Sequence, residues 1–431
     1  MIQLKVAVAI AAIVALASCG QSGDTANLDA TPRADIDPRQ DLGAATDVQA
    51  RAEQLAQRLL IVDTHIDVPY RLHLKFQDVG EATPDGDFDY PRAVAGGLDA
   101  LFMSIYIPAR VDEAGDARAF AHGMIDDVEA LTRAHPDKFT IATCAADIDR
   151  AKADGLIAMP LGMENGGPLE GSFEVLDEFR DRGVRYITLT HSRSNHISDS
   201  SYDTDEGWGG LSPFGRELIP VMNQRGVMVD VSHISDAAFW QVIELSQTPV
   251  IASHSSLRHF TPGWQRNMAD DMVEALGRNG GVIQISFGSI FLTAEAGRWS
   301  EARTQALEQL RAQPDVTEDD PRLASFNDDY RAQHPYPFAD LDDVLDHIDR
   351  AVMVAGIDHV GLGSDYDGVG DSLPVGLKDV STYPNLVAGL LRRGYDEAAI
   401  EKILGGNIMR VWREVEQFAT AAGYPPACRI M

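Results

Sequence analysis

The chain has 431 residues, of which 45% are hydrophobic, so it is long enough for one large α/β domain or two smaller ones. Its 66 acidic residues outnumber the 36 basic ones, and the formal net charge is −30. This charge argues against nucleic acid or an anionic membrane surface as a partner, because both would repel the protein.

The first 18 residues have the pattern of a signal peptide. Lys5 precedes a run of small apolar residues, Val6 to Ala17, that is too short to span a bilayer comfortably. The sequence at its end, LASCG at 16–20, resembles the lipobox of bacterial lipoproteins. This resemblance implies a lipid anchor on Cys19, on the periplasmic side of the cell envelope, and the glycine that follows favours the outer membrane. An ordinary secretory signal peptide, cleaved nearby, is the alternative.

Residues 19–48 are rich in Gly, Asp, Ala, Thr and Pro without apolar periodicity, which predicts a flexible tether. A helix is predicted over Val48–Leu59, and residues 49–431 are predicted to form a single catalytic barrel domain. Two further cysteines, Cys144 and Cys428, are too few for a disulfide scaffold or a thiolate metal site. The sequence does not tell whether these two cysteines pair.

From residue 60 onward, apolar strand-like runs alternate with amphipathic helical stretches. Eight such runs match the strand number of a (β/α)8 barrel, the TIM-type barrel, and nearly continuous apolar strands are typical of a parallel sheet. An open doubly wound sheet is the alternative, which the lack of a Gly-rich fingerprint after an early strand disfavours. The eight predicted strands are Leu60–Thr64, Ala100–Ile107, Leu156–Met163, Tyr186–Thr190, Val227–Val231, Val250–Ser253, Val282–Ser286 and Val360–Gly363.

Three segments fall outside this alternation. Lys138–Cys144 is predicted to be an extra strand outside the barrel. Residues 192–213, rich in Ser, Asp, Gly and Trp, are predicted to form a long loop over the barrel mouth. Residues 295–340 carry many charges and are predicted to be a helical insertion. Residues 397–421 are predicted to form two helices, broken near Gly405 and Gly406, that pack outside the barrel.

Potential metal ligands stand at or just after the ends of the apolar runs, where the reactive groups of such barrels lie. Imidazoles and carboxylates without thiolates suit zinc, with manganese or cobalt as possible substitutes. Because a carboxylate can bridge two cations and an imidazole cannot, Glu164 is a natural shared ligand. The other histidines are interpreted as surface or packing residues, and the exception expected first is His196, because it is close to the mouth. The residues at the strand ends are His65, Asp67, Glu164, His191, His233, His254 and Asp365.

These residues lie in segments that resemble the membrane (renal) dipeptidase family, whose members are metallopeptidases on an amidohydrolase-type barrel. The resemblance extends in order from about residue 50 to the segment GGNIMRVW at 405–412. It implies hydrolysis of dipeptides, and a homodimer would be usual for it. The segments are THID at 64–67, GMENG at 162–166, LTHS at 189–192, DVSH at 230–233, ASHSS at 252–256 and GSDYDG at 363–368.

The resemblance also implies a set of metal ligands. By it, His65 and Asp67 bind one zinc ion, His233 and His254 bind a second one, and Glu164 bridges the two. A water held between the two ions would then attack the peptide carbonyl.

Further roles follow from the same resemblance. His191 would contact the substrate carbonyl and stabilise the developing oxyanion, while Asp365 would be the general base and then the acid toward the leaving amine. Arg266 matches the arginine that binds the substrate carboxylate, although the stretch between His254 and Arg266 is a residue longer than expected. Asp367 is interpreted as a carboxylate that caps a turn.

Two other functions remain open at this point. The protein could be another amidohydrolase, such as a deacetylase of N-acyl amino acids, a lactonase or a phosphotriesterase. It could also be a non-catalytic lipoprotein that binds zinc or peptides, although binding alone requires neither His191 nor Asp365.

Overall fold

The computed structural model describes residues 38–203 and 207–428, with side chains from residue 46 onward. The predicted signal peptide, Cys19 and the first part of the predicted tether lie outside the described residues. The part of the chain described from Ala45 onward belongs to one compact unit. Within the described ranges, no helix is long and apolar enough to cross a membrane.

Eight parallel strands close into a barrel surrounded by helices, which confirms the predicted (β/α)8 fold. The order around the barrel is β1-β2-β5-β6-β7-β8-β9-β10, and Asp63 of β1 pairs with Leu362 of β10 to close it. Strands β3 and β4 extend the sheet outside the barrel. The strands are β1 (Val62–Ile66), β2 (Ala100–Tyr106), β3 (Phe139–Thr140), β4 (Ile157–Ala158), β5 (Leu161–Glu164), β6 (Val184–Thr188), β7 (Met228–Asp230), β8 (Ile251–Ser255), β9 (Val282–Ile285) and β10 (Val360–Leu362).

Several strands differ from their predicted bounds by one or two residues, and two of these differences affect the site or the sheet. The predicted strand Leu156–Met163 is divided into β4 and β5, and Pro160 stands between them, where its missing N–H cannot join a ladder. Strand β1 starts and ends later than predicted, so His65 lies within the strand rather than beyond it. The extra strand predicted over Lys138–Cys144 is present as the two residues of β3, outside the barrel as expected.

Seventeen α-helices lie in the described part of the chain. The first begins at Pro38 rather than at the predicted Val48. Short 3₁₀ turns occupy Gly167–Leu169, Ile357–His359 and Val380–Thr382. The helices are α1 (Pro38–Arg58), α2 (Val68–Leu74), α3 (Tyr90–Gly96), α4 (Ala109–Glu113), α5 (Ala117–Ala134), α6 (Ala145–Asp154), α7 (Phe173–Asp181), α8 (Pro213–Arg225), α9 (Asp236–Leu245), α10 (Asp270–Arg278), α11 (Ser289–Leu292), α12 (Ala294–Arg311), α13 (Pro321–Gln333), α14 (Leu341–Ala355), α15 (Tyr383–Arg392), α16 (Glu397–Glu401) and α17 (Asn407–Ala421).

Local signals in the sequence explain where the barrel helices begin and end. Ser212 caps α8 by accepting a hydrogen bond from the Gly215 N–H, and Gly226 ends that helix in a left-handed conformation with φ of 72°. Asp340 and Asp343 form a reciprocal capping box at the start of α14. These caps fix the lengths of the helices between the strands that carry the predicted ligands.

Helix α17 closes the N-terminal end of the barrel. The first residues of several strands form an apolar cluster with it, and Trp412 packs against Phe102 with ring centroids 5.3 Å apart. Helices α16 and α17 are joined by a π-helical turn, Lys402–Gly406, rather than by a break. A Cβ on Gly405 would lie 2.8 Å from the Leu60 carbonyl oxygen, so glycine permits the close approach of this turn to β1.

The C-terminal segment is attached to the same end of the molecule. Cys144 and Cys428 form a disulfide, a pairing that the sequence left open. The Thr143 hydroxyl also donates a hydrogen bond to the Ala427 carbonyl oxygen, at 2.7 Å. The disulfide therefore links two residues that are 284 positions apart in the sequence and ties the C-terminal segment to the rest of the domain.

Candidate metal centre and active site

The predicted site residues meet at the C-terminal end of the barrel, around one cavity of about 420 Å3. His65 is fully buried beneath it, with no exposed surface. His65 and His254 lie within β1 and β8, and Glu164 is the last residue of β5. The remaining residues follow their strands. The predicted residues that line the cavity are Asp67, Glu164, His191, His233, His254 and Asp365.

Glu164 lies at the centre of this group. Its Oε1 atom is 3.1 Å from His233 Nε2, 3.2 Å from His254 Nε2 and 3.5 Å from His191 Nε2. Its Oε2 atom is 3.5 Å from His65 Nε2. Burial would raise the pKa of Glu164, but the neighbouring imidazoles hold that pKa well below its ordinary value. The carboxylate is therefore ionised and has one oxygen toward each side of the site.

The separations between these atoms fit ligands of a common cation. Two ligand atoms bound to one zinc ion at about 2.1 Å, at tetrahedral angles, lie about 3.4 Å apart. His65 Nε2 is 3.5 Å from both Asp67 Oδ2 and Glu164 Oε2, and it has no hydrogen-bond partner among the described residues. Because a buried polar atom without a partner is costly, these residues fit a bound divalent cation.

The ligand groups overlap rather than separate into two pairs. One group of mutually close ligand atoms contains His65, Glu164 and His254, and a second contains Glu164, His191 and His233. The His65 and His254 rings are stacked with centroids 3.7 Å apart, and the Nε2 atoms of His233 and His254 are 2.7 Å apart. Glu164 belongs to both groups, as a bridging ligand would. The third group consists of His65, Asp67 and Asp365.

Tyr186 fixes the orientation of His65. Its hydroxyl donates a hydrogen bond to the Thr64 carbonyl oxygen at 3.0 Å, so it accepts one from His65 Nδ1 at 2.8 Å. The Nδ1 atom therefore carries a proton, so a metal ion would be bound through Nε2. Burial opposes a charge on this ring, but the charges of Tyr186 and of two nearby carboxylates raise the pKa of His65 well above its ordinary value, so a metal ion would displace a proton from Nε2. Gly162 makes room for this tyrosine, because a Cβ there would lie 2.0 Å from the Tyr186 ring.

A second chain of hydrogen bonds does the same for His254. Ser253 Oγ donates to Asp230 Oδ2 at 2.6 Å and accepts from His254 Nδ1 at 2.8 Å. Burial lowers the pKa of His254 well below its ordinary value, so the ring is neutral. Its Nε2 lone pair consequently points toward Glu164 and the centre of the site.

Asp365 is held in an uncommon backbone conformation at the edge of the site. Its φ is 66°, and its N–H donates to the His65 carbonyl oxygen at 3.0 Å. In the metal-free protein, burial and then the carboxylates of Asp67 and Glu164 raise the pKa of Asp365 to about 8, while His65 opposes this rise. Asp365 is therefore a carboxyl group whose protonation depends strongly on nearby charge.

The carboxylate of Asp367 contacts Asp87 and Arg71 rather than the predicted metal ligands. It accepts a hydrogen bond from the Asp87 N–H at 2.7 Å and forms an ion pair with Arg71 at 3.1 Å. Although it borders the cavity, its side chain is only 1% exposed. These contacts join Asp367 to Arg71 and to the Asp87 segment, and they do not cap the turn in which Asp367 lies.

Arg266 lies against the metal-ligand residues and is buried. Its Nη2 donates to the His254 carbonyl oxygen at 2.6 Å and lies 3.1 Å from His233 Nε2, and its guanidinium lies over the Phe291 ring at 5.1 Å. The Arg266 Nε atom has no hydrogen-bond partner within the described residues. Tyr202, in the predicted mouth loop, also interacts with this guanidinium.

Sequence reasoning missed the aromatic residues of the site. Tyr202 and Phe291 line the cavity, and Tyr186 supports it from below. The only available signal was the position of Tyr202 in a loop already predicted over the mouth. His196 does not join the site, because its Nε2 accepts a hydrogen bond from the Gly171 N–H and its ring packs against Phe214.

A family profile, two curated sequences and one solved structure that are similar to this chain all point to dipeptidases. The sequence profile of the membrane dipeptidase family, peptidase family M19, matches residues 49–424. Dipeptidase tcpJ of Claviceps purpurea (strain 20.1) is 34% identical over 343 residues, which cover 78% of this chain and 71% of that protein. Dipeptidase 3 of Mus musculus is 32% identical over 383 residues, covering 86% of this chain and 68% of that protein. The crystal structure of the probable dipeptidase PvdM from Pseudomonas aeruginosa superposes with a TM-score of 0.73 at 30% identity, covering 87% of this chain and all of that one.

Proposed function

This chain belongs to the membrane dipeptidase family of metallopeptidases, and from that premise we propose that it hydrolyses dipeptides with two zinc ions. The observation that carries the proposal is the position of Glu164, whose two oxygens face different histidines at spacings that suit shared cations. Manganese or cobalt could substitute for zinc with the same donor atoms.

The residues of the site divide into metal ligands and groups for the substrate. We assign His65 and Asp67 to one ion, His233 and His254 to the other, and Glu164 to both. The overlap of the ligand groups supports two ions that lie close together. His254 also lies within reach of the ion that we assign to His65 and Asp67, because its ligand atom is close to those of His65 and Glu164. When bound, such ions would acidify a water molecule and polarise the substrate carbonyl group.

Three other side chains act on the substrate in this proposal. Asp365 accepts a proton from the attacking water and delivers it to the leaving amine, which its variable protonation suits. His191, partly exposed in the cavity, donates a hydrogen bond to the carbonyl oxygen as negative charge develops there. Arg266 binds the substrate carboxylate, for which its unpartnered Nε and the planar guanidinium are suited.

The test is metal analysis of the purified protein together with activity profiling. We expect about two zinc ions per chain and cleavage of dipeptides that stops with chelator and returns with zinc. N-acyl amino acids, lactones and phosphotriesters in the same assay test the other amidohydrolase activities, and cleavage of these alone would contradict a dipeptidase. Metal-dependent binding of dipeptides without products would indicate a binding lipoprotein.

We further propose that the protein is exported and anchored by a lipid on Cys19, on the periplasmic side and at the outer membrane. The signal-like pattern of residues 1–18 supports export, and so does the Cys144–Cys428 disulfide, because such bonds persist in oxidising compartments. Incorporation of labelled palmitate that is lost in Cys19→Ala would support the anchor, and equal labelling would contradict it. Light scattering of the processed protein tests the homodimer that we also propose.

A further inference from the structure

A second cavity of about 810 Å3 adjoins the one that contains the candidate metal ligands. Tyr202 and Ile290 line both cavities, so the boundary between the two lies at these residues. The second cavity extends from that boundary along helix α12, part of the helical insertion. It contains no residue assigned above to metal binding or proton transfer.

One wall of this second cavity is aromatic. Trp264 stacks on Phe291 with ring centroids 5.3 Å apart and planes 9° apart, and Tyr202 meets the edge of Trp264 at 6.3 Å. Tyr202, Trp264 and Ile290 line the cavity beside the boundary and form its apolar surface, while Phe291 lines the first cavity and supports the Trp264 ring. Aromatic faces of this kind bind apolar and aromatic groups well.

The opposite wall is one face of α12. Its lining residues recur every three or four positions, as expected for a single helical face. The residues nearest the boundary are small, Ala294 and Gly297, whereas polar residues such as Glu301 and Thr304 lie further along. The residues of α12 that line the cavity therefore change from the small Ala294 and Gly297 to longer polar side chains from Arg298 onward.

We propose that this cavity is the subsite for the side chain of the substrate's C-terminal residue, and that it selects dipeptides with a large apolar or aromatic residue there. The assignment rests on the proposed function, in which Arg266 binds the C-terminal carboxylate. The Arg266 guanidinium lies over Phe291, and Phe291 stacks on Trp264. A residue whose carboxylate reaches Arg266 is thus placed beside the aromatic wall.

The dimensions of the two cavities agree with this division. A dipeptide backbone extends about 7 Å, and the smaller cavity of about 420 Å3 also surrounds the metal ligands. The face of α12 from Ala294 to Thr304 is about 15 Å long, so the second cavity has room for side chains of any standard size. A glycine at the C-terminal position of the substrate would leave it unused.

Gly297 provides a direct test, because its ideal Cβ position meets no atom within 4 Å. Gly297→Phe would place a ring in the cavity without a clash at the backbone. We expect kcat/KM for Ala-Trp to fall at least about tenfold relative to Ala-Gly, since apolar pockets discriminate by this order for small changes in fit. The zinc-loaded wild type should correspondingly prefer Ala-Trp over Ala-Gly.

The matched control is Ala302→Phe, on an exposed position of the same helix that does not line the cavity. It should leave both rates unchanged, and thermal unfolding should show that both variants are folded. Trp-Ala and Gly-Ala report on the N-terminal position, whose discrimination Gly297→Phe should not change.

Each other outcome overturns a specific part of the proposal. Equal rates for Ala-Gly and Ala-Trp in wild type and in Gly297→Phe would overturn the subsite while the dipeptidase function stands. If Gly297→Phe changed the selectivity for the N-terminal residue alone, the assignment of the second cavity to the C-terminal side chain would be wrong. No hydrolysis of any dipeptide by the zinc-loaded wild type would overturn the proposed function and the subsite together.

Discussion

The two ends of the barrel interior are built from the same strands but from different chemistry. At the N-terminal end, Val62, Ile251 and Val282 start their strands in an apolar cluster closed by Trp412. At the C-terminal end, β1 and β8 present His65 and His254 instead, within four residues of those apolar positions. Burial of apolar surface favours folding, whereas burial of ionisable groups opposes it.

The pKa values at the C-terminal end show this opposition. Burial lowers the pKa of both His233 and His254 well below the ordinary range and raises that of Asp365 to about 8. Such shifts mean that burial costs free energy whenever these groups are charged. The N-terminal end therefore contributes stability, which offsets the cost of holding reactive groups together at the C-terminal end. Substitutions at the two ends should separate the two contributions.

The largest effect is expected from Glu164→Gln at the C-terminal end. The amide nitrogen cannot ligate a cation as the second carboxylate oxygen does, so the shared ligand is lost. Dipeptide hydrolysis should fall to the level of the chelated wild type, and zinc content should fall with it. Glu178→Gln, on the outer helix α7, is the control and should be fully active. Near-normal turnover by Glu164→Gln would refute the metal site.

Asp365→Asn, also at the C-terminal end of the barrel, should impair proton transfer without removing the bound metal. We expect kcat to fall by about 10²–10⁴, since the amide cannot accept and return the proton, while zinc remains near two ions per chain. Metal analysis and steady-state kinetics of the same preparation of Asp365→Asn show whether kcat falls while zinc is retained. Because Asp365 also lies within reach of His65 and Asp67, a loss of zinc would instead identify it as a ligand.

The ligands could be predicted from sequence because strand ends in a barrel converge regardless of the side chains between them. The ends of the apolar runs predict His65, Glu164 and Asp365 at one end of the barrel without any knowledge of side-chain contacts. The supporting residues could not be found in this way. Tyr186 reaches His65 from β6, 121 residues away, and only the closed barrel places the two in contact. The second cavity depends on where α12 lies relative to Trp264 on the opposite wall, which apolar periodicity does not specify.

Trp412→Ala tests the N-terminal end. Trp412 is fully buried against Phe102, so its truncation should cost about 3–5 kcal/mol of the free energy of unfolding, measured in urea. Zinc content and kcat/KM of the folded protein should stay close to wild type. Trp240→Ala, at a ring that is 41% exposed, should cost less than about 1 kcal/mol. A loss of zinc in Trp412→Ala would show that the two ends are not separable.

His347 extends the comparison to the helices around the C-terminal end. Its Nδ1 accepts a hydrogen bond from the Leu257 N–H and its Nε2 donates to the Leu292 carbonyl oxygen, both at 3.0 Å. Burial lowers the pKa of His347 to about 4, below its value of 6.5 in an unfolded chain. The neutral ring therefore stabilises the fold fully above pH 6.5, and roughly 3 kcal/mol is lost as pH falls from 6.5 to 4.

A comparison with His347→Asn isolates this contribution, because the asparagine does not titrate. The difference in unfolding free energy between wild type and variant should shrink by about 2 kcal/mol from pH 7.5 to pH 5, measured by urea unfolding of the metal-free proteins. A difference that does not change with pH would show that His347 titrates normally in the folded protein.

Tyr186→Phe gives the smallest effect and tests the contact between the two ends. The ring belongs to the apolar cluster, at 5.3 Å from Phe102, while the hydroxyl accepts the His65 Nδ1 hydrogen bond. Phenylalanine keeps the packing but leaves His65 free to adopt the wrong tautomer and orientation. Zinc affinity should fall about 10–100-fold, with stability nearly unchanged and kcat close to wild type once zinc is saturating. Tyr395→Phe removes a hydroxyl bonded to Asp349 on the outside of the barrel and should leave zinc affinity unaltered. If both variants bound zinc as wild type does, His65 would be oriented by the strand alone, and the apolar end would contribute nothing to the metal site.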